Sequence, residues 1–131
     1  MAKKNIQEKR ISDEQTRELQ KYILDMLLAI DKVCREHNLC YYLIAGTMLG
    51  AVRHKGFVPW DDDADVALPR EDYNEFVKHA NEWLPERYEL VSGLQDPMYP
   101  YQFARIQDKE TTYILRRKFN FVGGLPVDVF P

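Results

Sequence analysis

The chain has 131 residues, 45% of them hydrophobic and 12% aromatic, enough apolar material for one compact domain with a buried core. Its formal net charge is -3, which gives no bulk electrostatic reason to expect a nucleic-acid partner, so a phosphorylated ligand would need local help from a metal or a helix N-terminus. Charges recur every few positions through the N-terminal third, leaving neither a secretory apolar region nor the roughly 18 continuous apolar residues of a spanning helix, and the chain reads as cytoplasmic. Cys34 and Cys40 have no histidine pair at ligand spacing beside them, which favours two reduced thiols over a zinc site.

Residues 1–11 are polar and lysine-rich and read as a flexible leader, with 12–131 as a single domain. Ser12 opens a capping-box pattern with Gln15, and Leu19, Ile23, Met26, Leu27, Ile30 and Val33 follow at helical spacing, predicting a long amphipathic helix to about His37 that stops at Asn38. Tyr41 to Ala45 reads as a short buried strand ending at Gly46-Thr47, and Met48 to Arg53 as a short helix. A loop stiffened by Pro59 leads to Asp63–Leu68, where acids and apolar residues alternate at the period of a strand. Pro69 starts a helix with Tyr73, Phe76, Val77 and Ala80 on one face, ending near Leu84-Pro85. Tyr88–Val91, Tyr101–Gln107 and Thr111–Leu115 read as strands, Gly123-Gly124 as a turn, and Leu125–Phe130 as a last strand. These elements predict an α/β (α+β) domain with a small mixed sheet flanked by helices, the first of them long.

The chemistry concentrates at two places. At Gly46-Thr47 a strand turns into a helix, and glycine lets the backbone approach a ligand while Thr47 adds a hydroxyl and the helix start points N–H groups at an anion; the same pair also fits a plain helix N-cap. Four carboxylates then occupy five positions in Asp61-Asp62-Asp63-Ala64-Asp65, an unfavourable density unless water or a cation screens it. In a strand Asp63 and Asp65 project from one face about 6–7 Å apart and can converge on Mg²⁺, with Asp61 of the same parity but beside the Pro59 loop and Asp62 pointing the other way. Flanking apolar residues argue against a merely solvated acidic turn. Asp61, Asp63 and Asp65 match the first ligands of an EF-hand loop, but Val66 stands where that loop needs glycine. Asp128 lies inside the apolar run Leu125–Phe130 and must be paired, bound to metal or placed at the sheet's end. Among the cations, Arg105 fits either a phosphate contact or a salt bridge to the acids, Arg53 and His54 fit ligand contact or loop support equally, and Lys55 reads as solvent-exposed.

The segment Ile44 to Asp65 resembles the signature of the LicD family, which includes bacterial phosphorylcholine transferases and is related to fukutin and the fukutin-related protein. Phe103–Thr112 and Val127–Pro131 are similar to two later family blocks. The resemblance implies a nucleotidyltransferase fold in which Gly46 and Thr47 face phosphate and Asp63, Asp65 and Asp128 are catalytic and hold Mg²⁺ or Mn²⁺. It implies as donor a nucleotide diphosphate such as cytidine diphosphate-choline, and as acceptor a sugar of a teichoic acid, lipopolysaccharide or similar glycan, at the inner face of the membrane where glycan precursors are made. Nucleotidyl transfer proper, or a silent binding module, are the alternatives. Family members continue past the block ending at Pro131, and that remainder is expected to supply much of the nucleotide-base pocket and the acceptor site. The sequence carries no signal for oligomeric state.

Overall fold

The computed structural model describes residues 11–116 and 120–131. Helix α1 spans Asp13–Glu36 and begins as its sequence prescribes: the Ser12 hydroxyl accepts from the Gln15 N–H at 3.1 Å, and the Gln15 side chain accepts from the Ser12 N–H at 3.0 Å. The helix ends at His37, followed by Asn38 with φ 55°, a left-handed conformation that asparagine adopts readily. The expected leader lies outside the described residues apart from Ile11.

After α1 the chain forms β1 (Tyr42–Leu43), α2 (Ala45–Arg53), β2 (Asp65–Ala67), α3 (Arg70–Trp83), β3 (Tyr88–Val91), β4 (Ala104–Arg116) and β5 (Asn120–Phe130). The five strands make one mixed sheet in the order β1-β2-β5-β4-β3, parallel only between β2 and β5. This is the mixed sheet with flanking helices that the sequence predicts.

Strand alternation gives the sheet two different faces. Val66, Leu90, Ala104, Ile106, Val127 and Val129 join Ile23, Met26, Ile30 and Val33 of α1 and Tyr73, Phe76, Val77 and Ala80 of α3 in one core. Residues of the opposite parity put Asp65, Asp128 and Arg105 side by side, because Asp65 pairs with Asp128 and Asp128 with Arg105 in register. The core face therefore fixes the order of the polar face: a slip of one residue would bury the acids and expose the valines. No helix among the described residues is long and apolar enough to cross a membrane.

Five sequence expectations are corrected. Tyr41–Ala45 is a two-residue edge strand, not a buried one, and Tyr42 is 58% exposed. Helix α2 starts at Ala45, so Gly46 and Thr47 lie in its first turn rather than before it. Only Asp65 of the acidic run is in a strand, since β2 is three residues long and pairs with β5 from Asp65 onward. The two strands expected at Tyr101–Gln107 and Thr111–Leu115 are one long β4 with an irregularity between Asp108 and Tyr113, and Gly123-Gly124 is inside β5 rather than a turn.

That irregularity explains Gly124. A Cβ there would lie 2.1 Å from the Asp108 carbonyl oxygen, so the strands approach each other where only a hydrogen fits. The Gly124 N–H donates to Gln107 Oε1 at 2.7 Å, and the Asp108 carboxylate, 1% exposed, is held by the Arg87 guanidinium at 2.8 Å. Gly124→Ala should destabilise the domain by about 1–3 kcal/mol, the usual cost of overpacking, as measured by chemical denaturation. A smaller loss would mean that the strands separate easily.

Candidate functional site

The polar face is organised around the acidic run and the start of α2. Gln20 of α1 collects the loop that carries the run: its amide donates to the carbonyls of Val58, Pro59 and Asp61, the last at 2.8 Å. Asp65 is held from the other side. Its N–H donates to the Thr47 hydroxyl at 2.9 Å and its carbonyl accepts from the Ile44 N–H at 3.2 Å, so both backbone groups are bound by the β1–α2 turn. At this turn Ala45 has φ 51°, a left-handed backbone in a residue that rarely adopts it.

Between these anchors the carboxylates crowd. One oxygen from each of Asp61, Asp62 and Asp63 lies within 4.8 Å of the others. Asp61 also faces Gly46, where a Cβ would stand 2.9 Å from its Oδ2. A negative group therefore lies beside the first turn of α2, where the helix dipole favours it. Partial burial, then a hydrogen bond shared with Asp61 and the charges of Asp61, Asp65 and Asp62, push the Asp63 carboxyl up to about 7. Burial, followed by the charges of Asp128 and Asp61, also raises Asp65 above the ordinary carboxylate range, against the opposing pull of Arg105.

Arg105 supplies the balancing charge. Only 5% exposed, it donates from Nε to Asp128 Oδ1 at 2.7 Å, and Nη2 reaches Oδ2 at 3.4 Å. Burial alone would lower its pKa, but the hydrogen bond and charge of Asp128 outweigh that and keep it firmly cationic. Its guanidinium lies 4.9 Å from the Tyr101 ring centroid. Tyr113, raised by burial, feels the charges of Arg105, Asp62, Asp128 and Asp63 and lies at the same site.

The expected residues are thus distributed as follows. Asp65 and Asp128 are register neighbours and Asp63 stands next to Asp61, but the tightest carboxylate group is Asp61, Asp62 and Asp63, so Asp62 does not point away. Gly46 and Thr47 are at the site, with Thr47 committed in part to holding Asp65. Arg105 is in the salt bridge that was one of its two readings. Arg53 and His54 sit at the far end of α2, about 10 Å along the helix from Gly46; Arg53 Nε donates to His54 Nε2 at 2.9 Å and the His54 ring meets the edge of Trp60, with no ion pair to a carboxylate among the described residues. Asp61 and Gln20 were missed. Strand parity pointed to Asp61, whereas nothing in the sequence marks Gln20, whose role depends on where α1 packs.

Oxygen-rich and anionic, with Asp63 driven toward neutrality by its neighbours, this donor set fits a hard divalent cation such as Mg²⁺ or Mn²⁺. Fold and site together define a small α+β domain that presents clustered carboxylates at the centre of a mixed sheet. The sequence profile of LicD/FKTN/FKRP, nucleotidyltransferase domain, matches residues 38–131, and the chain belongs to this family. It is 42% identical over 97 residues to the lipopolysaccharide cholinephosphotransferase LicD of Haemophilus influenzae, covering 72% of this chain and 36% of that protein. An uncharacterized protein of Rickettsia prowazekii is 40% identical over 55 residues, 42% of this chain and 19% of its own. The chain spans about a third or less of the length of these relatives.

Two outcomes follow for metal-free protein. An aspartate that ionises near 7 when folded, against an ordinary 3.8, keeps its proton in the folded chain where the unfolded chain has lost it, so stability falls as pH rises through that window. Chelator-treated protein should melt higher at pH 6 than at pH 8, and Asp63→Asn should shrink the difference; an unchanged difference would mean that Asp63 is not the titrating group. Carboxylates on the two sides of the site should also respond oppositely. Asp65→Asn relieves repulsion and should raise the melting temperature at pH 8, whereas Asp128→Asn weakens a buried ion pair and should cost about 2 kcal/mol, less than the ~3–5 kcal/mol of a fully buried pair because the Asp128 side chain is 23% exposed. Equal signs in calorimetry would refute this division.

Proposed function

We propose that this chain carries the metal- and donor-binding core of a LicD-type phosphotransferase, moving phosphocholine or a similar phospho-alcohol from a cytidine diphosphate donor to a cell-surface glycan such as lipopolysaccharide or teichoic acid. The observation that carries the reading is the crowding of Asp61, Asp62 and Asp63 beside the start of α2, with Asp65 alongside, a charge density that a divalent cation would relieve. The similarity to the Haemophilus influenzae cholinephosphotransferase supports the substrate class.

In this reading Asp61, Asp63 and Asp65 hold Mg²⁺ or Mn²⁺, and Asp128, matched by Arg105, stands next to them. When bound, the metal neutralises the diphosphate and stabilises the departing nucleotide. The protein's own groups do the rest. The first turn of α2, at Gly46 and Thr47, would offer backbone N–H groups to a phosphate oxygen. A carboxylate of the cluster that is not engaged by metal would accept the proton of the attacking sugar hydroxyl. Arg105 offsets part of the repulsion that Asp128 adds at Asp65, and its guanidinium lies against the Tyr101 ring.

Isothermal titration tests the reading. The chain should bind cytidine diphosphate-choline when Mg²⁺ is present and lose that binding with chelator. Asp63→Asn should weaken Mn²⁺ binding by about tenfold, because a neutral amide cannot offset the ion's charge. Unchanged metal affinity in that variant would remove Asp63 from the metal site.

A further inference from the structure

Beyond Arg105 the structure opens a cleft of about 580 Å³, within the range of small-molecule sites. Its walls include Tyr73, Asn74 and Lys78 from α3 and Tyr101, Gln102 and Phe103 from the approach to β4, and Ser92–Leu94, following β3, complete it. Tyr101 belongs to both places, since its ring stacks on Phe103 at 5.0 Å and also lies against the Arg105 guanidinium that holds Asp128. The Tyr101 ring is therefore the link between the cleft and the carboxylate site.

We propose that this cleft receives the nucleoside of the donor, a proposal that rests on the phosphotransferase reading and assigns the base to this chain rather than to a later segment of the family. Three features select that occupant. Distance is the first: the Arg105 backbone stands two strands from Asp65, about 10 Å, and its guanidinium lies 4.9 Å from the Tyr101 ring centroid. An attacking hydroxyl must come within about 3–3.5 Å of phosphorus, so the acceptor sugar that bears it sits at the carboxylates and not in the cleft. A nucleoside tethered through its diphosphate reaches that far. The second feature is charge. Among the described lining residues Lys78 is cationic and none is acidic, which suits a neutral ring joined to phosphate; aromatic walls would also attract the quaternary ammonium of choline, but choline is bonded to the phosphorus under attack and so stays at the carboxylates. Chemical character is the third, because aromatic walls with the amides of Asn74 and Gln102 at hand match a flat ring with a hydrogen-bonding edge.

The test compares cytidine diphosphate with inorganic pyrophosphate, each titrated into the chain with Mg²⁺. Cytidine diphosphate should bind at least about tenfold more tightly, the margin being the nucleoside's contribution. Asn74→Trp and Gly93→Trp add bulk at the cleft, the first on an exposed helix position and the second where an added Cβ meets nothing within 4 Å, so both variants should fold. They should abolish the margin while leaving pyrophosphate affinity as it was. If the two probes bind the unsubstituted chain alike, or if both variants keep the margin, the nucleoside is not in the cleft and the donor reading is untouched. If the unsubstituted chain binds neither probe, the donor reading fails and this one fails with it.

Discussion

Concentrated negative charge is the constraint to which the rest of this domain answers. Asp61, Asp62 and Asp63 share a space under 5 Å across, and Asp65 and Asp128 stand in register beside them. Burial drives Asp63 toward neutrality, and so do its neighbours, since like charges at such distances cannot all ionise without a counter-charge. A fold that tolerates this arrangement in the absence of a ligand must hold the acids there by other means.

Those means are mostly backbone hydrogen bonds from distant parts of the chain. Gln20 reaches 41 residues along the sequence to the Asp61 carbonyl, and Thr47 holds the Asp65 N–H from 18 residues away. Neither bond depends on the ionisation of a carboxylate, so the acids stay gathered whatever their protonation. Arg105 is the exception, acting directly on charge through Asp128. A buried guanidinium is itself costly to desolvate, and its pairing with Asp128 offsets that cost while limiting the field at Asp65. The site is thus rigid in its frame and electrostatically unsatisfied at its centre, the condition in which binding of a cation yields the largest gain.

The two faces of the sheet divide the labour. On one, valines, leucines and isoleucines of the strands are closed off by α1 and α3; on the other, the same strands carry Asp65, Asp128 and Arg105 in a row. The stability of the first face sets the register of the second, and α3, which helps close the first, also lines the cleft with Tyr73, Asn74, Val77 and Lys78. Asp65, Asp128 and Arg105 are therefore placed by the core packing, while Asp61, Asp62 and Asp63 are carried by the loop that leads into β2.

Local rules were sufficient for much of this in the sequence. The capping box at Ser12 and Gln15, the helical spacing through Val33, and the face Tyr73, Phe76, Val77 and Ala80 set α1 and α3, since caps and amphipathic periodicity are written in neighbouring residues. The acidic run and Gly46-Thr47 could likewise be singled out by residue type and spacing, and Asp61 was within reach through its parity. What the sequence left undecided depends on who lies next to whom. Tyr42–Leu43 has the apolar character of a central strand but falls at the sheet edge, and β4 is continuous because β5 pairs along its length. Gly123-Gly124 has the composition of a turn but sits where two strands crowd at Asp108. Arg105 was open between ligand and salt bridge until the β4–β5 register placed it opposite Asp128. Gln20 gave no signal at all, because its three carbonyl partners come from a loop some forty residues away that only the packing of α1 brings within hydrogen-bonding reach.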